Sequence, residues 1–455
     1  MSKFKNNNVK QSIKDLIVTA IYTLVFHGVI MAQSSQSNTI IFENVNIFDG
    51  KTSKLIPNQN VLVEGNRILA ISSTAFKNKA AARVIKGEGK TLMPGLIDVH
   101  VHMVFGALTT EELTSPTLNK ETIMEKTALQ AEKMLLRGFT AVRDMGGPSF
   151  ALKTAIDKGV VKGPRIWPSG AMISQTSGHG DLRMPDEKSR RFFGKPSRAE
   201  LLGASFIADG RDEVLTAARE NLRFGASQIK LMAGGGTSSA YDPVDVTQYT
   251  FDEMKAGVDA AEDWGTYVAV HAYTSRAIKR AVEAGVKCVE HGQLLDKATL
   301  RLIKRKGVWL SSQNLIEDTP GMDSLRRAKR KPVIEGQQKL WPMAKEMKVK
   351  LAWGTDFLFE PWLNEEQNAY MLKLKKWFTP YEILKMVTHD NAQLLALSGL
   401  RSPYKGTLGV VEENALADLI LVDGNPLENI ELIAQPAERF LVIMKDGEII
   451  KNILP

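Results

Sequence analysis

The chain has 455 residues, 44% of them hydrophobic and 24% charged, with a formal net charge of +8. That length and apolar content allow one barrel-sized core plus a smaller unit, and exclude wholesale disorder. The densest basic run, residues 325–331 (LRRAKRK), has no interleaved aromatic residues, so it reads as a solvated face and no nucleic-acid partner is expected.

Lys3, Lys5, Lys10 and Lys14 precede an apolar run, residues 16–32, which ends at Ala32 and is followed by QSSQSN. Basic, apolar, small and polar in that order describes a signal peptide over 1–32, and predicts an exported protein, periplasmic or secreted. The run is interrupted by His27 and Gly28 and is short for a bilayer span, so no stable membrane span is expected once it is removed. Cys288 is the only cysteine, which excludes an intramolecular disulfide and a thiolate metal cluster. Any metal must be held by His, Asp, Glu or a less usual ligand.

Residues 39–93 hold short β-like runs: TIIFENVNIFDG ends in Asp-Gly, and NVLVEGNRILAISS is broken by Glu-Gly-Asn, a tight hairpin signal. ADLILVDGNP and FLVIMKDGEIIKN repeat the pattern near the other end. These two regions, 38–93 and 405–455, predict a small β-sandwich domain bracketing a middle of 94–404. In that middle, strand candidates fall at 95–102, 138–144, 164–174, 226–233, 265–272, 285–291, 307–313 and 349–356. Helical patterns separate most of them. Met124, Ala128, Ala131 and Leu135 recur on one face of 121–136, as do Phe251, Met254, Val258 and Ala261 on 251–264. The fold class is therefore α/β, a (β/α)8 TIM barrel. A doubly wound open sheet is the alternative, but no Gly-rich phosphate loop follows the first strand. Two long connections, 175–210 and 234–250, are rich in Gly, Ser, Asp and Pro, and long loops on a barrel usually carry function.

His100 and His102 close the first strand at positions i and i+2, which point to the same side. A lone histidine is more often a satisfied core residue; two in one apolar strand tip are costly to bury without a partner. His271 and His291 end the fifth and sixth strands, and Asp356 ends the eighth. Asp356 alone could be a turn or helix cap. Its coincidence with four histidines at the C-terminal strand ends, where such barrels place their sites, argues for metal ligation. Imidazole with carboxylate suits Zn, and also Mn, Fe, Co or Ni. The set exceeds the three ligands of a single catalytic zinc and suits two divalent ions. Lys230 ends the fourth strand. Lysines in strands commonly snorkel outward, but a barrel interior disfavours an unpaired ammonium.

In order and spacing, PGLIDVHVHM, IKLMAGGG, VAVHAY, VEHG and GTD resemble the amidohydrolase superfamily, and DLILVDGNP and KDGEII resemble its terminal sandwich. VRDMGG, SGHGD and the Lys-Gly run look most like the exported Xaa-Pro dipeptidase and imidazolonepropionase-like group. The resemblance implies a binuclear site. His100 and His102 would bind one metal with Asp356, His271 and His291 the other, and a carboxylated Lys230 would bridge both, with zinc the first expectation. THDNA at 388–392 departs from the Thr-x-Asn-x-Ala of relatives, on a helix beyond the barrel.

The chemistry implied is hydrolysis of an amide-type C–N bond in a dipeptide or N-acyl amino acid. A hydroxide held between the metals would attack, and Asp356 would serve as general base and then acid. The rivals are cyclic amides, aryl amides of mycotoxin type, or lactones. From another class, a non-catalytic assembly protein should have lost ligands, and every ligand position is filled here. The resemblance makes His179, in SGHGD, a substrate contact in place of a solvated loop residue, and Tyr241, in TSSAYDP after the fourth strand, is placed to bind a substrate carboxylate. Arg143 is assigned a structural role, pairing with Asp144. His389 is expected on a helix outside the barrel and Cys288 in strand packing. A homo-oligomer is compatible with the resemblance, with no interface legible.

Overall fold

The computed structural model of the protein describes residues 39–77, 82–314 and 322–454, so the expected signal segment lies outside the described residues. From Thr39 the apolar–polar alternation becomes pleated strand. β1 (Thr39–Ile47), β2 (Ile56–Glu64) and β3 (Arg67–Ser72) form an antiparallel meander, with the Gly65–Asn66 turn joining β2 to β3. β4 (Arg83–Lys86) and β5 (Thr91–Pro94) lie parallel to β1.

The barrel follows. β6 (Leu96–Val101), β7 (Phe139–Asp144) and β8 (Arg165–Pro168) pair in parallel. β9 (Met172–Ser174) is flanked by β10 (Ser205–Ile207), an added strand from the first long connection, and by β11 (Ile229–Met232). β12 (Val268–Thr274), β13 (Cys288–Leu294), β14 (Trp309–Ser312) and β15 (Leu351–Trp353) complete the parallel order. The third barrel strand, expected unbroken over 164–174, is split into β8 and β9 at Gly170, whose φ of +75° turns the chain. Backbone bonds at both ends join the β6–β8 strands to the β9–β15 strands. Ser227 N–H donates to Pro168 at 2.7 Å, and Asp356 N–H donates to His100 at 2.7 Å, tying the eighth strand to the first. That last approach needs Gly354, where a Cβ would sit 2.4 Å from the His100 nitrogen.

Helices pack outside: α1 (Lys120–Leu136), α2 (Phe150–Asp157), α3 (Arg211–Arg223), α4 (Phe251–Asp263), α5 (Ser275–Ala284), α6 (Lys297–Lys306) and α7 (Ser324–Glu346). Thr250 and Glu253 form a capping box that starts α4, and Gly285 and Gly307 end α5 and α6 in the left-handed conformation. Met254, Val258 and Ala261 bury the inner face of α4, whereas Phe251 at its first position is exposed. β16 (Leu419–Val422), β17 (Phe440–Lys445) and β18 (Glu448–Asn452) return to the first sheet, where β16 pairs antiparallel with β5. Phe42, Val45, Leu92, Leu419 and Val442 fill the core of this eight-stranded sheet. Arg165 bolts it to the barrel, donating to Asp418 at 3.0 Å and to Asp446 at 2.6 Å. No helix among the described residues is long and apolar enough to cross a membrane.

Candidate metal centre

The two histidines of the first strand converge on one carboxylate oxygen. His100 Nε2 lies 3.3 Å and His102 Nε2 3.2 Å from Asp356 Oδ1. Their other ring nitrogens are already held: His100 Nδ1 lies 2.9 Å from Glu290 Oε2, and His102 Nδ1 3.1 Å from the Gly146 carbonyl. The Glu290 carboxylate and the Gly146 carbonyl accept only, so the tautomer with the proton on each Nδ1 satisfies them and turns each Nε2 lone pair toward Asp356; Gln313 Nε2 also lies 3.1 Å from His100 Nδ1. Burial pushes the His100 imidazole down to about 4, so the ring is neutral at pH 7. Two lone pairs facing a carboxylate repel one another unless a cation lies among them. The donor set therefore fits a divalent metal ion. His291 joins it: one ligand atom each from His100, His291 and Asp356 lie within 4.8 Å of one another.

His271 stands beside His291, with ring centroids 4.4 Å apart. Its Nε2 donates to the Gly235 carbonyl at 3.1 Å, which leaves the Nδ1 lone pair free to take an ion. Lys230 is buried on the same wall, and burial pushes its ammonium pKa down. His291 and Asp356 adopt left-handed backbone, φ +76° and +56°. Non-glycine residues rarely do so, and such strain gathers at functional sites.

Beneath the histidines runs a buried polar chain. Arg143 is fully buried and donates to Val99 O at 2.6 Å, Tyr267 Oη at 3.0 Å and Glu290 Oε1 at 2.7 Å. Its partner is thus Glu290 across the barrel and not Asp144, because β7 turns successive side chains to opposite faces. Glu290 loses solvation, yet Arg143 and His100 hold its carboxyl well below its ordinary value. Cys288 is buried in β13 and inert: loss of water raises its thiol pKa far above the ordinary value.

The amidohydrolase family profile matches residues 91–453, most of the chain. The chain belongs to the amidohydrolase family. An Aspergillus niger ochratoxinase is 31% identical over 377 residues, 79% of this chain and 76% of that protein. A solved prolidase complexed with N-methylphosphonate-L-proline is 33% identical with a TM-score of 0.83, covering 91% of this chain and all of that one. A solved Xaa-Pro dipeptidase with methionine bound in its active site is 28% identical with a TM-score of 0.76, covering 90% and 99%. This amidohydrolase is a hydrolase of amide bonds, built on a TIM barrel with an added β domain.

The two long connections of the amidohydrolase meet above the metal centre. His179 stacks on His271 at 4.0 Å, with its Nδ1 2.7 Å from Ser239 Oγ and 3.5 Å from Asp242 Oδ2. The glycine run makes room: a Cβ on Gly236 would lie 1.8 Å from His179 Nδ1. Tyr241 is half-exposed and lines a neighbouring cavity, not the metal pocket.

Among the pocket residues that the sequence did not single out, three bear on its chemistry. Tyr273 packs 5.1 Å from His291; its spacing of i+2 from His271 was the available signal. Arg326 and Arg330 line the pocket from α7, and Arg330 is buried. They belong to the basic run expected to be solvated throughout. Their i, i+4 spacing puts them on one helix face, and Lys329 on the same side donates to Ser239 O at 2.6 Å. His389 lies on the helical stretch after the barrel, its Nδ1 2.8 Å from Asp390.

Proposed function

We propose that this amidohydrolase is an exported, metal-dependent enzyme that cleaves the amide bond of N-acylated amino acids, Xaa-Pro dipeptides among them. His100, His102, His271, His291 and Asp356 would hold two divalent ions, zinc first, with Lys230 as a carboxylated bridging ligand. The observation that carries the reading is the meeting of two imidazole lone pairs on Asp356 Oδ1. When bound, such ions acidify water and polarise a carbonyl oxygen.

The chain's own groups do the rest. Asp356 accepts the proton of the attacking water and passes it to the leaving nitrogen, as general base and then acid. Ser239 and Asp242 occupy His179 Nδ1, which leaves Nε2 for a substrate oxygen. Arg330, with Tyr273 beside the histidines, supplies the cationic wall that a leaving amino acid's carboxylate needs. Tyr241 would meet only the part of a substrate that reaches past Ser239. Glu290 and Arg143 position His100 and touch no substrate.

The similarity to an ochratoxinase supports a second reading, an aryl amide substrate. A panel of dipeptides, N-acyl amino acids and aryl amides, assayed with added zinc and with a chelator, tests both. Chelator-sensitive release of free amino acid is expected. Full metal occupancy with no amide cleaved would sink the proposal.

A further inference from the structure

Lys329 sits in the run LRRAKRK, three positions after Arg326 and one before Arg330, so one face of α7 carries all three. Its side chain is only 10% exposed. An ammonium that gives up its water needs acceptors and a counter-charge. Lys329 finds both in the second long connection. Nζ donates to the Ser239 carbonyl at 2.6 Å and stands 3.9 Å from Asp242 Oδ1.

Asp242 is wholly buried. Its Oδ2 accepts from Gly236 N–H at 2.6 Å and lies 3.5 Å from His179 Nδ1. Its Oδ1 has no hydrogen-bond partner among the described residues and faces the Lys329 ammonium. Ser239, whose carbonyl that ammonium holds, sets its Oγ 2.7 Å from His179 Nδ1. The two groups that fix the His179 ring are thus themselves fixed by one cation from another part of the chain. The connection gains from such an anchor, because residues 235–246 form neither helix nor strand.

We propose that Lys329 is a positioning residue for His179: it balances the buried Asp242 carboxylate, holds the Ser239 carbonyl, and so keeps the imidazole seated on His271 above the metal centre. The proposal rests on the substrate contact assigned to His179 above and adds the residue that sets it. Lys329 itself lines neither the metal pocket nor the cavity beside it, so it acts through Ser239 and Asp242. Without the ammonium, Asp242 keeps a buried charge with no partner on Oδ1. A stretch without regular structure relieves this by turning the carboxylate toward water. Ser239 moves with it, and the ring loses its seat.

Lys329→Met, which keeps the stem and removes the charge, tests this beside Lys329→Arg, which keeps a cation. On the best N-acyl amino acid, kcat should fall at least about 10-fold in Lys329→Met, with KM little changed and bound metal per chain intact. Lys329→Arg should recover most of the loss. A role in packing alone gives the reverse order, since Met matches the stem and Arg overfills the space. In the His179→Ala background, Lys329→Met should cost nothing further. Hydrogen exchange reads the anchor without any substrate. The Gly236 amide, held by Asp242, should exchange at least about 10-fold faster in Lys329→Met and near the wild-type rate in Lys329→Arg. Full kcat in Lys329→Met, a loss that Arg does not reduce, or unchanged exchange at Gly236 overturns the proposal. Should Lys329→Met not fold, Lys329→Gln, also uncharged, is expected to show the same loss and is read by the same criteria. If the wild type cleaves no amide, the function proposal falls, and the exchange rates alone decide whether Lys329 anchors the loop.

Discussion

Gly236→Ala is the sharpest probe of the loop that carries His179. The added Cβ would stand 1.8 Å from His179 Nδ1 and 1.9 Å from Cε1. Ordinary carbon contacts are about 3.5–4.0 Å, so the ring must retreat by roughly 2 Å. Gly236 has no positive φ, so the backbone accepts alanine and the effect is purely steric. Retreat breaks the 2.7 Å bond to Ser239 and unstacks the ring from His271. A misplacement of about 1 Å near the reacting atoms can cost about 100-fold, and overpacking destabilises by about 1–3 kcal/mol. The expected outcome is a fall in kcat/KM of about 100-fold with bound metal per chain unchanged, because no ligand needs to move. Metal analysis and steady-state kinetics on the best N-acyl amino acid check this. The double variant with His179→Ala isolates the cause: once the imidazole is gone, Gly236→Ala should cost almost nothing further. Full activity in Gly236→Ala, or an equal loss in the His179→Ala background, would refute the argument.

Asp356→Asn should lower kcat by at least about 100-fold while metal content falls far less, as read by elemental analysis beside rates; parallel losses would make Asp356 a ligand alone. Glu290→Ala strands Arg143 and frees His100 Nδ1, and should cost about 3–5 kcal/mol in denaturant unfolding; a shift below about 1 kcal/mol would remove Glu290 from the supporting network. Asp446 loses some solvation at the seam between sheet and barrel, but Arg165 holds its carboxyl below the ordinary value. A depressed folded pKa stabilises above the unfolded value of about 4, and that part is lost as pH falls below it. Asp446 is half-exposed, so less than about 1 kcal/mol is at stake. The stability gap between wild type and Asp446→Asn should therefore close between pH 5 and pH 3, by roughly that amount. A gap independent of pH would contradict the assignment.

The barrel was legible because buried parallel strands write themselves as short apolar runs, and their ends carried polar residues with no other reason to be there. His100 and His102 stood out by spacing, and His271, His291 and Asp356 by place. What stayed hidden depends on contacts between distant segments. Glu290 and Arg143 meet only across the closed barrel, 147 positions apart. Arg326 and Arg330 sit in a run whose charge argued for solvent, and only the docking of α7 over the strand ends turns one face of it inward. The break between β8 and β9 falls at Pro168-Ser169-Gly170, a turn signal inside a segment that reads as one strand from its flanking apolar residues.

The bond from Asp356 N–H to His100 O has a consequence for how the enzyme is made. The residues that close the ring of strands are also those that converge at its mouth, 256 positions apart in the chain. On a ribosome the N-terminal part emerges first and begins to fold before the rest is synthesised. His100 and His102 would then wait without their carboxylate until the last strand arrives. Binding of a divalent ion by the full donor set therefore reports a finished barrel, and a nascent or truncated chain ending before Asp356 has no complete place to capture one.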